Sequence, residues 1–304
     1  MKKLLIGGQA VMEGVMMKSQ DYLAIAVRNE KGRIVTKKEK LKKKKKFLQL
    51  PFIRGIVNLV ETLVIGIRSL VWSANQLTEE KEEFSKLELI ATLAISIGFV
   101  ILFFVALPYF LTVLTGAKEE TSPVFFNLID GIIKIVLFLL YLLLISLMKD
   151  IKILFQYHGA EHKAVNCYEA EKKLTSKNAK KFSTLHPRCG TSFLMLVLII
   201  SILIFSILPV LVINTYPGFL NLGLIMQKSI LFPLRLLVIP IIAGLAYEAL
   251  KLSARFDKNI LIKIIIRPGL LLQKITTRKP TDRQLEVALT ALKGILKEEK
   301  TKSI

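Results

Sequence analysis

The uncharged stretch TSFLMLVLIISILIFSILPVLVI (residues 191–213) is the strongest structural signal in this 304-residue chain. A helix rises about 1.5 Å per residue, so roughly 20 apolar residues cross the hydrocarbon core of a bilayer. Three other runs have similar length and composition: residues 89–114, 124–148 and 229–250. The sequence therefore predicts a mainly α fold built on four membrane-spanning helices. Asp130 and Lys134 in the second of these runs have the spacing of an i,i+4 ion pair.

The first forty residues predict a small β unit. Tyr22–Arg28 is rich in apolar and β-branched residues and is followed by a glycine-containing turn at residues 29–32. Residues 33–36 then complete a hairpin. The preceding stretch GGQAVMEGVMM (residues 7–17) contains glycines that indicate close backbone approach or bulges.

Residues 50–76 are apolar but include three charged residues at intervals of seven. Arg54, Glu61 and Arg68 would form one polar stripe on a helix. We therefore expect an interfacial or bundle-packed helix here, not a fifth span.

These features divide the chain into four predicted regions. They are a cytoplasmic β unit with a basic run (residues 1–48), an interfacial or bundle-packed helix (49–78), a four-span membrane domain (79–250) and a basic amphipathic cytoplasmic tail (251–304). A cytoplasmic link at residues 149–190 lies between the second and third spans.

The net charge of +21 is unevenly distributed, and this predicts the orientation. Lysines crowd the segment before the first span, the link and the tail, whereas the loops at residues 115–122 and 214–227 are poor in cations. The positive-inside rule then places both termini and the link in the cytoplasm, with the spans in the cell membrane. The basic segments suit anionic lipid headgroups as a partner. No aromatic interleaving or nucleic-acid motif accompanies them, so nucleic acid is not expected; the sequence does not indicate protein partners.

All three histidines lie within 29 residues, in H-G-A-E-H (158–162) and H-P-R-C (186–189). His158 and His162 are four residues apart and would share one helix face, where two imidazoles can bind one transition-metal ion. His186 and Cys189 follow closely along the chain. The sequence therefore predicts a divalent metal site, best suited to zinc, with these four residues as ligands.

Three stretches together resemble a known family: GGQAVMEGVMM, YHGAEHKAVNCYE (157–169) and HPRCGTSF (186–193). They are similar to the YqhQ-type family of bacterial membrane proteins. Members of that family are described as predicted metal-dependent enzymes of unknown function. The resemblance extends to DRQLEVAL (282–289) and implies a multi-pass membrane protein, but it supplies no substrate or reaction.

Acidic and basic residues supply further candidates around this site. H-G-A-E-H matches the H-x-x-E-H pattern of inverted zinc proteases, in which the glutamate activates water, so Glu161 is the candidate catalytic base. The remaining ligand of those proteases is a distant glutamate, for which Glu248 and Glu61 are available. Glu248 and Glu13 are the candidates for a supporting residue or an alternative ligand, and Arg188 could bind an anion.

Three functions are compatible with these patterns. The first is a metal-dependent hydrolase that acts on a lipid-linked or membrane-proximal substrate. The second is a non-catalytic scaffold or assembly factor with a structural metal, and the third is a small-solute transporter that uses Glu248 or Arg235. An open coordination position favours the enzyme, whereas a closed four-ligand site favours the scaffold.

The predicted topology can be tested by cysteine labelling. Lys177→Cys lies in the link, so a membrane-impermeant thiol reagent should label it in inverted vesicles but not in intact cells, with the two native cysteines replaced by serine. Labelling of intact cells at this position would contradict the orientation and the cytoplasmic location of the site.

Overall fold

A computed structural model describes residues 4–42, 44–77, 86–119, 121–255 and 259–302. Lys43 of the basic run and the predicted boundary between residues 78 and 79 lie outside the described residues. The strands are β1 (Gly7–Val11), β2 (Gly14–Lys18), β3 (Tyr22–Arg28) and β4 (Ile34–Lys40). The helices are α1 (Ile53–Ala74), α2 (Lys86–Ile101), α3 (Leu107–Leu114), α4 (Pro123–Ile145), α5 (Lys149–Glu169), α6 (Ser176–Ala179), α7 (Gly190–Thr215), α8 (Leu224–Arg255), α9 (Ile260–Thr276) and α10 (Asp282–Lys302). A π-helix joins α2 to α3, and two short 3₁₀ helices are Lys46–Gln49 and Pro217–Asn221.

The N-terminal strands form one antiparallel sheet in the order β1-β2-β3-β4. The predicted hairpin is confirmed as β3 and β4, and Gly32 takes a φ of 75° in its turn. The glycine-rich stretch forms a second hairpin, β1 and β2, which was not predicted from its sequence. The expected close approach occurs at Gly14, where a Cβ would lie 2.4 Å from the carbonyl oxygen of Ala26.

Both faces of the sheet are covered by helices, so β3 is apolar from residue 22 to residue 27 and does not alternate with polar residues. Ala24 and Ala26 face α5 and α10 and belong to the main core. Leu23, Ile25 and Val27 point the other way and pack against α1. The sheet is therefore the middle layer of a small helix–sheet–helix unit.

Helix α5 is the central helix of this unit, and it is separate from the preceding span. Helix α4 ends at Ile145, and Met148 takes an extended conformation (φ −66°, ψ 139°) before α5 begins. Gly159 of α5 allows a close approach, because a Cβ there would lie 2.0 Å from the carbonyl oxygen of Arg278. The break at residues 146–148 thus lets α5 turn away from the bundle and pack on the sheet.

The C-terminal helix α10 begins with a capping box. Thr281 and Gln284 form a reciprocal capping box. The Gln284 N–H donates to Thr281 Oγ1 at 3.3 Å, and the Thr281 N–H donates to Gln284 Oε1 at 2.9 Å. The apolar face of α10 is buried against the sheet and α5 and includes Leu285, Ala288, Leu289 and Leu292.

Five helices in the described chain are long and apolar enough to cross a membrane, as expected of a membrane protein. They are Ile53–Ala74, Ile90–Leu114, Pro123–Ile145, Gly190–Thr215 and Leu224–Leu252. The four runs chosen from the sequence are among them, and the fifth is α1. The expected Asp130–Lys134 pair is also present, with its charged atoms 2.5 Å apart.

Helix α1 contacts the sheet along more than half of its length. The Glu61 carboxylate lies 2.5 Å from Lys18 Nζ, Gly66 lies against the Gln9 amide, and Ser73 Oγ accepts the Met12 N–H at 3.1 Å. At its other end, Arg54 Nε donates to Glu248 of α8 at 2.7 Å. One helix therefore joins the sheet to the end of α8.

The packing at Gly14 can be tested by substitution. Gly14→Ala places a methyl group against a backbone oxygen and should destabilise the protein by about 1–3 kcal/mol, which lowers the apparent melting temperature by several degrees. Gly7→Ala in the same sheet meets nothing within 4 Å and is the matched control. Equal melting temperatures for the two variants in detergent would contradict the register of β2 and β3.

Candidate metal centre

The two histidines of α5 and the cysteine before α7 meet at one point. His158 and His162 are one turn apart, with ring centroids separated by 4.4 Å. Cys189 is the N-cap of α7, and its Sγ lies 3.2 Å from His158 Nε2. The three donor atoms all lie within 4.8 Å of one another. Zinc ligands are about 2.0–2.3 Å from the ion and hence roughly 3.5 Å apart. The three donor atoms would therefore need to approach one another by only about 1 Å to bind a zinc ion.

Backbone carbonyls orient both imidazoles toward this point. His158 Nδ1 lies 2.8 Å from the Thr276 carbonyl oxygen, and His162 Nδ1 lies 2.5 Å from that of Thr184. A carbonyl only accepts, so each Nδ1 carries the proton and each Nε2 presents its lone pair. Metal-binding histidines are commonly held in this way.

The cluster is largely enclosed, and burial changes the acidity of its groups. Burial lowers the pKa of His162 well below its ordinary value, so the imidazole is neutral at pH 7. Burial, together with the nearby Glu161, raises the pKa of the Cys189 thiol to about 11. A bound cation would stabilise the Cys189 thiolate and so lower the pKa of this thiol again.

Glu161 lies beside the cluster and is held by the first strand. It is buried, it accepts a hydrogen bond from the backbone N–H of Gly8, and its Oε2 lies 3.4 Å from His162 Nε2. Burial is the main cause of the raised pKa of Glu161. A Cβ at Gly8 would lie 2.8 Å from Glu161 Cγ, so a glycine is required for this approach.

His186 lies next to the cluster but outside the group of three donors. Its ring centroid is 5.7 Å from that of His162, and its Nε2 is 3.4 Å from a Glu169 carboxylate oxygen. The same carboxylate pairs with Arg188, the expected anion-binding residue. Gln273 of α9 fixes the backbone of His186 through hydrogen bonds of 2.8 and 2.9 Å.

The other glutamates named from the sequence bind elsewhere. Glu13 accepts a hydrogen bond from the hydroxyl group of Tyr157 at 3.0 Å. Tyr157 directly precedes His158 on α5. Glu248 pairs with Arg54, and Glu61 pairs with Lys18. None of the three belongs to the donor group.

Sequence reasoning missed several residues that support the centre. Glu169 is the last residue of the motif YHGAEHKAVNCYE, and its place in that motif is the sequence feature that could have identified it. Gln273, and the carbonyl groups of Thr184 and Thr276, had no signal, because backbone acceptors are not encoded by side-chain type and Gln273 lies in an otherwise ordinary amphipathic helix.

The fold and the cluster define a helical protein of membrane type with a histidine–cysteine centre, and comparisons with known proteins give its family. Residues 50–298 match the family described as "Protein of unknown function (DUF1385)". The chain is 32% identical over 315 residues to "Uncharacterized protein YqhQ" of Bacillus subtilis (strain 168), covering 96% of this chain and 92% of that protein. No solved structure matches. The chain therefore belongs to the DUF1385 family, as its motifs indicated.

Metal analysis of purified protein tests the donor group. Protein prepared without chelators should contain about one zinc or similar ion per chain, and the double variant H158A/H162A should lose it, because two of three ligands are removed. His186→Ala, which removes the neighbouring imidazole, is the matched control and should keep most of the metal. Full retention in the double variant would show that these histidines are not ligands.

Proposed function

We propose that this protein is a membrane-bound, metal-dependent hydrolase whose centre faces the cytoplasm. His158, His162 and Cys189 would hold one divalent ion, with zinc the best match for two imidazoles and a thiolate. The observation that carries the proposal is the convergence of three oriented donors beside a buried glutamate. Three protein ligands leave a fourth position open, which is the usual arrangement in catalytic zinc sites.

The residues around the donors have separable roles in this proposal. A bound zinc ion would supply Lewis-acid polarisation and water activation. Glu161 would accept the proton of the attacking water and later pass it to the leaving group, as a general base and then acid. The Gly8 N–H would orient this carboxylate, and the Thr184 and Thr276 carbonyls would keep the imidazoles in the metal-binding tautomer.

The proposed substrate is lipid-linked or membrane-proximal because of where the centre lies. Cys189 is the N-cap of the apolar helix α7, and Ser192, one turn further on, accepts a hydrogen bond from Gln273 at 2.9 Å. The donors are therefore at the membrane end of the helix–sheet–helix unit. A substrate anchored in the inner leaflet could present its scissile bond at this level.

The proposed topology has four spans, with α1 lying on the inner membrane surface. If α1 crossed the bilayer, the sheet residues that contact it, including Lys18, would enter the hydrocarbon core, where charged groups are costly. The face of α1 away from the sheet is apolar and exposed, as suits an interfacial helix, and includes Val60, Leu63, Ile67 and Val71. Both termini would then be cytoplasmic in the cell membrane, beside anionic lipid headgroups.

A structural metal in a scaffold or assembly factor is the second candidate. The enclosure of the cluster favours it, since His162 is 1% exposed and Cys189 is 8% exposed. An ion there would join α5 to the start of α7 and tie the helix–sheet–helix unit to the bundle.

Substitution of Glu161 distinguishes the two candidates. Glu161→Gln keeps an oxygen for the Gly8 N–H but removes the base, so the variant should retain its metal and fail to complement a deletion strain. His162→Ala should lose both metal and complementation.

The surface variant Glu286→Gln controls for loss of a carboxylate elsewhere, because Glu286 pairs with Arg28 on the exposed side of α10. It should complement fully. Full complementation by Glu161→Gln beside failure of the histidine variant would replace the hydrolase with the structural role.

A further inference from the structure

A second charged site lies at the other end of the bundle from the candidate metal centre. Glu119 is only 6% exposed, and its carboxylate binds Arg235 Nη2 at 2.7 Å and also pairs with Lys228. Arg235 donates as well to the side-chain oxygen of Asn127 at 3.0 Å. Cys189 lies at the start of α7, whereas Glu119 precedes α4 and Lys228 lies near the start of α8. The 26 residues of α7, about 39 Å long, separate the two ends.

These charges line two adjoining cavities between α3, α4 and α8. The larger cavity has a volume of about 880 Å³, and the smaller one, of about 340 Å³, extends to Asp130, Lys134 and Arg235. Both share the aromatic residues Tyr109, Phe126 and Phe232. The larger volume lies within the roughly 300–1,000 Å³ typical of small-molecule sites. At its rim Leu224 and Ile225 are 60% and 85% exposed, so the mouth of the cavity is apolar.

The charge and the hydrogen-bonding groups of the cavities define what would fill them. Four cations (Lys118, Lys134, Lys228 and Arg235) face two anions (Glu119 and Asp130), which leaves two positive charges in excess. Asp130 Oδ1 and Arg235 Nε are buried and have no hydrogen-bond partner among the described residues. Asp130 is itself only 7% exposed. An occupant should therefore bring negative charge, an acceptor for arginine and a donor for aspartate.

We infer that these cavities bind one anionic phospholipid with a hydroxylated headgroup, of the phosphatidylglycerol class. Its phosphate lies near Lys228 and Arg235, its headgroup hydroxyl donates to Asp130, and its acyl chains lie along the aromatic walls. The apolar mouth and the aromatic walls favour a lipid over a free anion, because they suit acyl chains and offer nothing to a small hydrated ion. The inference rests on the membrane placement of the bundle and is independent of the metal centre.

Lipid retention by the intact protein tests this site. The full chain is purified in mild detergent, mixed with equal amounts of phosphatidylglycerol, phosphatidic acid and phosphatidylcholine, and examined by native mass spectrometry. Phosphatidylglycerol should be retained above the other two, since phosphatidic acid has no headgroup hydroxyl and phosphatidylcholine has no net charge. Lys228→Gln should reduce phosphatidylglycerol retention about tenfold, as expected for loss of a hydrogen-bonded charge.

Lys251→Gln removes the same charge from the other end of α8 and is the matched control; it should retain phosphatidylglycerol as the wild type does. An unchanged apparent melting temperature in Lys228→Gln would show that the fold is intact. Equal retention of phosphatidylglycerol and phosphatidylcholine, or equal losses in the two lysine variants, would overturn the site. Equal retention of phosphatidic acid would overturn the contact with Asp130.

Discussion

The burial of three consecutive polar residues on α5 is the constraint on which the structure depends. Glu161, His162 and Lys163 are each less than 9% exposed, and a buried polar group without a partner costs about 1–3 kcal/mol. Each residue reaches a different partner: Glu161 the Gly8 N–H of β1, His162 the Thr184 carbonyl, and Lys163 the Lys180 carbonyl at 3.0 Å. One helix thereby holds the first strand and two points of the connection between α5 and α7, at Lys180 and Thr184.

The same constraint explains why three separate motifs belong together. The glycine-rich stretch supplies Gly8, which contacts Glu161 of the H-G-A-E-H segment, and Glu13, which contacts Tyr157 just before that segment. The H-P-R-C segment then supplies Cys189, which contacts His158. These contacts bring residues from the first strand and from the start of a spanning helix to one place. They also join a compact unit of globular type to the membrane bundle, so chemistry at this point would take place at the bilayer surface.

Much of this architecture could be predicted, because the signals were local. Apolar runs such as residues 191–213 need no tertiary information, and the β3–β4 hairpin followed from a glycine turn between two β-rich segments. The i,i+4 spacing of His158 and His162 likewise placed both on one face.

The rest of the architecture depended on long-range contacts. Nothing in the sequence showed that Glu248 would pair with Arg54, or that His186 would face Glu169 while Cys189 faced His158. The break between α4 and α5 was also missed, since residues 146–148 contain neither glycine nor proline.

The most direct test of the central claim is X-ray absorption spectroscopy at the zinc edge on the purified full-length protein. Coordination by His158, His162 and Cys189 with one open position should give one sulfur ligand near 2.3 Å and three nitrogen or oxygen ligands near 2.0–2.1 Å, one of which is replaced when an exogenous ligand such as azide is added. A first shell without sulfur, or one with two or more sulfur ligands, would contradict the centre described here.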